Sequence, residues 1–185
     1  MTLLDEAIIF ATRAHSGQYR KGTQTPYILH PLESAAIVAS MTDDLEVIAA
    51  VVLHDTVEDA LIPLDEISAK FGARVAGLVK SETENKREDL PASDTWLIRK
   101  QETIHHLSNE MDLAVKMVTL GDKLSNIRAM YRDHLQLGDQ LWERFNQHDP
   151  KMHAWYYRAV ADVTIELSHY PAWQEYWALV EKVFA

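Results

Sequence analysis

Apolar residues recur every three or four positions along most of this chain, which is the spacing of amphipathic helices. The pattern predicts a first helix over residues 3–16, ended by Gly17, and a long helix over 111–132. Shorter helical segments are bounded by proline, glycine or capping residues: 31–40, 43–59, 64–71, 74–83 and 96–107. Almost nothing alternates with the period of a strand. The chain is therefore predicted to be all-α.

Two helix starts are predicted from local chemistry. Pro31 is favoured at the first helical position, so His30 is expected just outside the second helix. Thr42 or Asp43 is expected to begin the third helix, with Glu46 as the capping-box partner of Asp43. The last part of the chain, 139–185, is rich in Trp and Tyr, and it is predicted to form three helices divided near 146–150 and at Pro171.

Composition limits the classes of function. The 185 residues suffice for one domain with a sizeable core, and we expect 1–185 to be a single domain. Cysteine is absent, no membrane span or signal peptide is visible, and the cytoplasm is the expected location. The net charge of −10 argues against binding to nucleic acid or anionic membranes. It leaves room for a phosphorylated small molecule bound by a few local Lys and Arg residues.

An acidic cluster follows the apolar run 49–53. His54, Asp55, Glu58 and Asp59 fall within six positions and are three or four residues apart on a helix. Three crowded carboxylates repel one another unless a proton or a cation compensates them. The stretch therefore indicates either a solvated acidic helix end or part of a metal site.

The segment between the first two helices has no clear period and is predicted to be an ordered loop. It carries Arg20 and Lys21 side by side, with Tyr19 and Tyr27 nearby. Such a pair is either a solvated basic turn or a group that stacks on a base and binds phosphate. A second polar segment, 82–94, is the best candidate for a mobile loop.

Four candidate metal ligands come from three predicted helices. His30, His54, Asp55 and Asp122 combine imidazole and carboxylate, which are ordinary ligands of divalent first-row metals. Two His and two Asp leave positions open for water and substrate. The chain holds nine histidines, so spacing alone does not prove that these four converge. Six of the other histidines are taken as surface or packed residues: His105, His106, His134, His148, His153 and His169.

These residues lie in four motifs. The blocks are AHSGQYRKGT at 14–23, PYILHP at 26–31, LHDTVED at 53–59 and LGDKLSNIR at 120–128. Together and in this order they resemble the hydrolase domain of RelA/SpoT-type alarmone enzymes, within the HD superfamily of metal-dependent phosphohydrolases. The resemblance covers 3–132 and implies an HD-type helical bundle, with 139–185 as its C-terminal helices. The chain is too short to hold a synthetase domain as well, so it resembles a stand-alone small alarmone hydrolase.

The resemblance implies a role for each motif residue. One Mn²⁺, or another divalent ion, is expected on His30, His54, Asp55 and Asp122. Glu58 and Asp59 match the acidic pair thought to position and deprotonate the attacking water.

The resemblance also implies where the nucleotide binds. Arg20 and Lys21 match the pair beside the guanine base. Asn126 matches a ribose contact and Arg128 a nearby basic position. Lys86 and Lys100 match phosphate contacts more weakly.

Three features depart from the family pattern. Ser125 stands where many relatives carry His or Tyr, and the run 80–86 adds acidic charge beside the expected pocket. The C-terminal aromatics 142–146 and 155–158 also differ from the long enzymes. They either pack in the core or form a wall that stacks on the base, with Tyr156 or Tyr157 contributing.

Three hypotheses follow. The first is a Mn²⁺-dependent guanosine-3′,5′-bis(diphosphate) 3′-pyrophosphohydrolase, which releases pyrophosphate. The second is an HD phosphohydrolase acting on another nucleotide, such as an adenosine alarmone, NADPH or a nucleoside phosphate. The third is a non-catalytic nucleotide-binding module, for which Glu58 would be dispensable.

Overall fold

A computed structural model describes residues 1–87 and 89–185. Ten α-helices lie within them: α1 Leu3–Ala14, α2 Leu29–Val38, α3 Leu45–Leu53, α4 Thr56–Asp59, α5 Leu64–Phe71, α6 Ala73–Glu82, α7 Ala92–Asn109, α8 Leu113–Leu137, α9 Pro150–Val163 and α10 Pro171–Val183. Two 3₁₀ helices span Gly138–Arg144 and Ile165–Leu167. In this part of the chain the only sheet-like pairing is a single antiparallel bridge between Tyr19 and Pro26. The all-α prediction is confirmed.

Helix α3 occupies the centre of the bundle. Its sequence LEVIAAVVL is apolar on every face, and every residue from Val47 to Leu53 is buried. A helix that is apolar all round is stable only when it is surrounded by other elements. Helices α1, α2, α6 and α8 supply that cover. The C-terminal end of α3, where His54 follows, is therefore fixed by the core.

Helix α8 is the second axis of the bundle. It packs against α2, α3, α6 and α10. Its middle turns, which hold Leu120, Asp122, Leu124 and Ser125, are buried. The C-terminal helices α9 and α10 pack against each other, and α10 runs along α8. No helix in the described parts of the chain has both the length and the apolar character needed to cross a membrane.

The acidic cluster does not continue α3, contrary to the prediction of one helix over 43–59. Helix α3 ends at Leu53, and a separate short helix α4 begins at Thr56. Two backbone carbonyls near the end of α3 are bonded by side chains, which compete with the hydrogen bonds of a continuing helix. Nδ1 of His54 lies 2.7 Å from the oxygen of Val51, and the Thr56 hydroxyl donates to the oxygen of Leu53 at 2.7 Å. The break turns Asp55 away from the helical path.

Two predicted helix starts are corrected. Helix α2 begins at Leu29, so His30 lies inside its first turn. The carbonyls of Pro26 and Tyr27, in the preceding turn, accept hydrogen bonds from the amides of Leu29 and His30. Pro31 is tolerated in the first turn of α2, because the amides of a first turn have no partner within the helix. The cap of α3 is Asp44, whose carboxylate accepts from the amide of Glu46 at 3.0 Å.

The close approach of α2 and α8 depends on Gly121. A Cβ built there would lie 2.5 Å from Cγ2 of Val38 and 3.0 Å from the carbonyl oxygen of Ser34, which is backbone. We expect Gly121→Ala to lower the free energy of unfolding by roughly 1–3 kcal/mol, the usual cost of overpacking. Urea unfolding followed by circular dichroism measures this.

Gly77→Ala is the matched control for that prediction. Gly77 is also inside a helix, α6, and a Cβ there meets nothing within 4 Å. Ala at such a site is expected to raise stability by about 0.4–1 kcal/mol. Equal unfolding midpoints for Gly121→Ala and the unmodified protein would contradict the packing argument.

Candidate active site

Four side chains from three elements meet beside the core. His30 comes from α2, His54 and Asp55 from the junction of α3 and α4, and Asp122 from α8. Nε2 of His30 lies 3.1 Å from Oδ1 of Asp122 and 3.5 Å from Oδ2 of Asp55. Nε2 of His54 lies 3.0 Å from Oδ2 of Asp55 and 3.7 Å from Oδ1 of Asp122. The structure brings all four predicted metal ligands together.

Three of these residues form the tightest group. His30, His54 and Asp122 each offer one ligand atom, and those atoms all lie within 4.8 Å of one another. Asp55 adjoins this group, and its Oδ2 also accepts a hydrogen bond from the Tyr27 hydroxyl at 2.7 Å. Imidazole nitrogen and carboxylate oxygen together suit a divalent first-row metal.

The orientation of His54 fits metal binding. Its Nδ1 faces the Val51 carbonyl, which only accepts, so Nδ1 carries a proton and Nε2 is the nitrogen left to bind a metal ion. Nε2 is buried and faces the carboxylate oxygens of Asp55 and Asp122, at 3.0 and 3.7 Å. An imidazole held at one nitrogen, with the other free toward carboxylates, is the usual arrangement of a metal-ligating histidine.

The electrostatics of the group favour a cation. Burial by itself would raise the pKa of Asp122, but the Lys123 ammonium and the two imidazoles lower that pKa well below its usual range. Burial likewise opposes charge on His54, yet the carboxylates of Asp55 and Asp122 raise the His54 pKa well above its ordinary value. The carboxylates thus stabilise positive charge at this point, which a divalent ion supplies.

The predicted catalytic pair lies next to this group on α4. Asp59 accepts a hydrogen bond from Nζ of Lys86 at 2.6 Å, and it lies 3.0 Å from the Tyr27 hydroxyl, whose one proton is shared with the nearer Asp55. Glu58 accepts the amide of Glu84 at 3.1 Å and has Nζ of Lys86 at 3.5 Å. Burial, with help from neighbouring carboxylates, raises the pKa of Glu58. A carboxylate with a raised pKa is better matched to proton transfer near neutral pH.

The segment after α6 is tied to the site by ion pairs, where the sequence suggested a mobile loop over 82–94. The Glu84 carboxylate accepts Nζ of Lys100 at 2.6 Å and a guanidinium nitrogen of Arg99 at 2.7 Å. Lys86 holds Glu58 and Asp59 as described above. Glu88, which falls within the predicted loop, lies outside the described residues. Lys86 and Lys100, weak phosphate candidates, are therefore both paired with carboxylates.

Sequence reasoning missed a buried polar cluster behind Asp122. The Lys123 ammonium pairs with Oδ2 of Asp122, and the Thr119 hydroxyl donates to Glu82. Burial raises the pKa of Glu82 to about 7. Glu82 on α6 and Lys123 on α8 each stand beside apolar residues of helices that pack together. The sequence alone does not distinguish such a charged residue from one on the surface.

A cavity of about 420 Å³ extends from His30, at the edge of the metal-ligand group, to the basic loop. Its wall includes His30, Asp59 and three of the predicted substrate residues, Arg20, Lys21 and Asn126. The Arg20 guanidinium donates to the Asn126 side chain at 2.9 Å. The cavity therefore links a cationic, amide-bearing end to the candidate metal centre, as expected of a nucleotide pocket.

The fourth predicted substrate residue, Arg128, is not among the cavity lining. Its guanidinium pairs with Glu175 at 2.6 Å and Glu33 at 3.2 Å. The cavity instead has two basic residues that sequence reasoning missed, Arg132 and Arg144. Both lie beyond or at the end of the recognised motifs, so no local pattern singled them out.

The C-terminal aromatics divide between core and cavity. Tyr157 and Phe145 line the cavity, whereas Tyr156 is buried with its hydroxyl unpartnered among the described residues. The Tyr156 ring instead receives the Lys100 ammonium, 4.8 Å from its centroid. Trp142 is also buried and stacks on Phe184. Core packing thus accounts for most of these residues, and Tyr157 and Phe145 are available to contact a ligand.

The family assignment agrees with this geometry. The sequence model of the HD domain family matches residues 7–145 of the chain. The chain therefore belongs to the HD domain family, and it is an enzyme of the metal-dependent phosphohydrolase class. An HD domain implies a divalent metal, which the grouping of His30, His54 and Asp122 accommodates.

Three curated proteins show what this chain is similar to. The chain is 40% identical over 131 residues to the guanosine-3′,5′-bis(diphosphate) 3′-pyrophosphohydrolase MESH1 of Homo sapiens, covering 69% of each protein. It is 38% identical over 133 residues to MESH1 of Danio rerio, covering 70% of each. A GTP pyrophosphokinase of Myxococcus xanthus is 32% identical over 137 residues, and only 18% of that longer protein is spanned.

Solved structures share the fold. A protein of Listeria monocytogenes EGD-e superposes with a TM-score of 0.73 at 31% identity, covering 84% of this chain and 98% of the other. A metazoan ortholog of SpoT that hydrolyses ppGpp superposes with a TM-score of 0.74 at 23% identity, covering 100% and 94%. The second likeness supports the fold alone. The all-α architecture and the match to the HD domain family confirm an HD-type helical bundle.

Proposed function

We propose that this protein is a guanosine-3′,5′-bis(diphosphate) 3′-pyrophosphohydrolase that releases pyrophosphate from (p)ppGpp. One observation carries the proposal: a single cavity joins Arg20, Lys21 and Asn126 to Asp59 and to His30, whose Nε2 lies 3.1 Å from Asp122. Relatives about 40% identical bear the name of this activity. The nucleoside end of such a substrate would lie against the basic loop, with its 3′-diphosphate toward the candidate metal centre.

We propose that His30, His54, Asp55 and Asp122 hold one divalent ion, Mn²⁺ in the active enzyme. When bound, the ion supplies Lewis-acid polarisation of the phosphate and lowers the pKa of water. The two imidazoles are neutral donors, and the two carboxylates balance the charge of the ion. The position of Nε2 of His54, which faces both carboxylates, supports this assignment.

Glu58 and Asp59 are assigned to the proton transfers and the positioning of water. Glu58 accepts a proton from the water that attacks the phosphorus of the 3′-diphosphate. The bond between phosphorus and the ribose 3′-oxygen breaks, and that oxygen takes up a proton. Asp59, held by Tyr27 and Lys86, orients the water. The products are a guanosine 5′-phosphate nucleotide and pyrophosphate.

The substrate end is assigned to Arg20, Lys21 and Asn126, with Tyr157 as a ring for stacking on the base. A guanidinium stacks on aromatic faces and binds phosphate, and Arg20 lies 6.0 Å from the centroid of the Tyr27 ring. Arg128, the remaining predicted contact, is paired with Glu33 and Glu175 and is not assigned to the substrate end.

A nucleotide panel tests the proposal. Purified full-length protein with Mn²⁺ is expected to release pyrophosphate from ppGpp, and guanosine 5′-diphosphate should appear in equal amount by anion-exchange chromatography. The panel includes an adenosine alarmone, NADPH and nucleoside triphosphates. Turnover of one of these with no pyrophosphate from ppGpp would reject the proposal.

A second candidate, an HD phosphohydrolase acting on another nucleotide, is favoured by one observation. Glu84 neutralises Arg99 and Lys100, and a second cavity of about 410 Å³ beside them is lined by both Glu82 and Glu84. Four glutamates against three basic residues, Lys80, Arg99 and Lys123, line this cavity, and this charge balance disfavours a polyanion on that side of the centre. A substrate with fewer phosphates near α7 would fit this charge pattern, and the same panel distinguishes the two candidates.

We also propose that residues 1–185 act as one hydrolase domain in the cytoplasm, on small nucleotides and without nucleic acid or membrane partners. The contacts of α10 with α8 support the first point, and the absence of cysteine together with the net charge of −10 supports the others.

A further inference from the structure

The second nitrogen of His30 is held by a serine. Nδ1 of His30 lies 2.9 Å from Oγ of Ser125, and Oγ of Ser125 donates to Oε2 of Glu33 at 2.7 Å. The serine hydroxyl has one proton, and the Glu33 carboxylate accepts it. The hydroxyl oxygen must therefore accept from His30, so Nδ1 carries the ring proton. His30 and Ser125 are both buried, with 4% and 1% of their surface exposed.

The same chain of contacts continues to the end of the protein. The other oxygen of Glu33 accepts a guanidinium nitrogen of Arg128 at 3.2 Å. The remaining face of Arg128 makes two bonds to Glu175, at 2.7 and 2.6 Å. Glu175 lies on α10, outside the residues 7–145 that match the HD domain family. A continuous line of bonds thus joins the last helix to a candidate metal ligand.

We propose that Ser125 is a positioning residue that fixes the metal-binding tautomer and ring orientation of His30. Glu33, Arg128 and Glu175 anchor this serine to α10. The inference rests on the proposed ligand role of His30. It gives Arg128 a place in the protein that differs from contact with the nucleotide.

The physical argument concerns what each bond fixes. With Nδ1 bonded to Ser125, the lone pair of Nε2 points toward Asp122 and Asp55. Without that bond, the buried ring can place its proton on either nitrogen and rotate away from the ligand geometry. Loss of such a partner typically weakens metal affinity about 10- to 100-fold. Arg128 bonds to Glu33 at 3.2 Å in a partly exposed position and holds that carboxylate toward Ser125.

Ser34 offers a matched control. Its side chain is as buried as that of Ser125 and it lies on the same helix as His30, one turn away. Its hydroxyl donates to the backbone oxygen of His30 at 3.0 Å and does not touch the imidazole. Removal of either hydroxyl therefore has a similar effect on packing, and only one of the two affects the ring.

The experiment titrates Mn²⁺ into metal-depleted full-length protein by isothermal calorimetry. Ser125→Ala is expected to raise the Kd for Mn²⁺ about 10- to 100-fold. Ser34→Ala should change it less than about twofold, since it removes no contact of the ring. Ser125→Thr, which keeps the hydroxyl, should bind more tightly than Ser125→Ala. Urea unfolding of the metal-free variants checks that Ser125→Ala and Ser34→Ala are equally folded.

A double-mutant cycle tests the anchor on α10. Glu175→Gln alone is expected to weaken Mn²⁺ binding about two- to fivefold, as for the loss of one partly exposed ion pair. In the Ser125→Ala background the same change should have no further effect, because the line is already broken. A purely structural role of Glu175 would give the same loss in both backgrounds.

Each result has a separate meaning. If the unmodified protein binds no Mn²⁺ or other divalent ion, the proposed metal site fails and the inference fails with it. If the unmodified protein binds Mn²⁺ and Ser125→Ala binds it equally well, the metal site stands and the positioning role is overturned. Additive effects in the cycle would overturn the link to α10.

Discussion

Asp122→Ala is expected to abolish hydrolysis, lowering kcat/KM by roughly 10³-fold or more. The change removes a proposed metal ligand, and a bound metal contributes several kcal/mol to stabilisation of the transition state. It also leaves the buried Lys123 ammonium without its partner, and this positive charge then repels a divalent ion. Steady-state kinetics with ppGpp and metal analysis of the purified variant measure both effects.

Asp139→Ala serves as the control for this variant. The Asp139 side chain is 97% exposed, next to the end of α8, and its nearest charged partner is His134 at 3.9 Å. Its removal should leave turnover and metal content unchanged. Full metal content together with full activity in Asp122→Ala would contradict the proposed centre.

Glu58→Gln is expected to lower kcat by about 10²- to 10⁴-fold, the usual contribution of a general base. Glutamine keeps the size of the side chain and an oxygen for the Glu84 amide, but it does not take up the proton of the attacking water. Metal binding should persist, because Glu58 is not among the proposed ligands. Kinetics and calorimetry on the same preparation separate the two properties.

Glu66→Gln provides the matched control, since this glutamate is exposed on α5. Retention of activity by Glu58→Gln would reject the assigned base, and it is also the result that a non-catalytic binding module predicts. Loss of activity with metal binding intact would support the first hypothesis over that module.

The pH profile follows from the same residue. Burial raises the pKa of Glu58, and the base must be deprotonated to act. Activity should therefore rise with pH as Glu58 loses its proton, and the acid limb should lie above the usual range of a glutamate. This limb should be absent from the residual activity of Glu58→Gln.

Much of the fold follows from the sequence because its signals are local. The apolar period predicted the helices, and Pro63, Gly72 and Pro171 marked their ends within a few residues. The break between α3 and α4 was missed because it depends on side chains that take backbone carbonyls, an effect that the apolar period does not contain. The start of α2 was missed because a preceding turn, and not Pro31, begins it.

The residues of the candidate site could be predicted from the sequence where they lie in recognisable motifs. The two histidines and two aspartates come together in the structure as those motifs predict. The role of Arg144 and the Ser125–Glu33 contact could not be predicted from the sequence, because each depends on the position of one helix relative to another. The resemblance placed Arg128 near the substrate, whereas its long side chain extends to Glu175 on a helix that the motifs do not cover.

The two sides of the candidate active site differ in how readily their residues can be replaced. On one side, His54 of the candidate metal centre follows α3, a helix enclosed on all sides, so any shift of His54 would have to disturb packing throughout the interior. The opposite side is made of the loop after α1 and the segment after α8, whose exposed positions tolerate replacement. New substrate preferences in this protein should therefore arise by changes in those two segments, while the ion-binding side stays as it is.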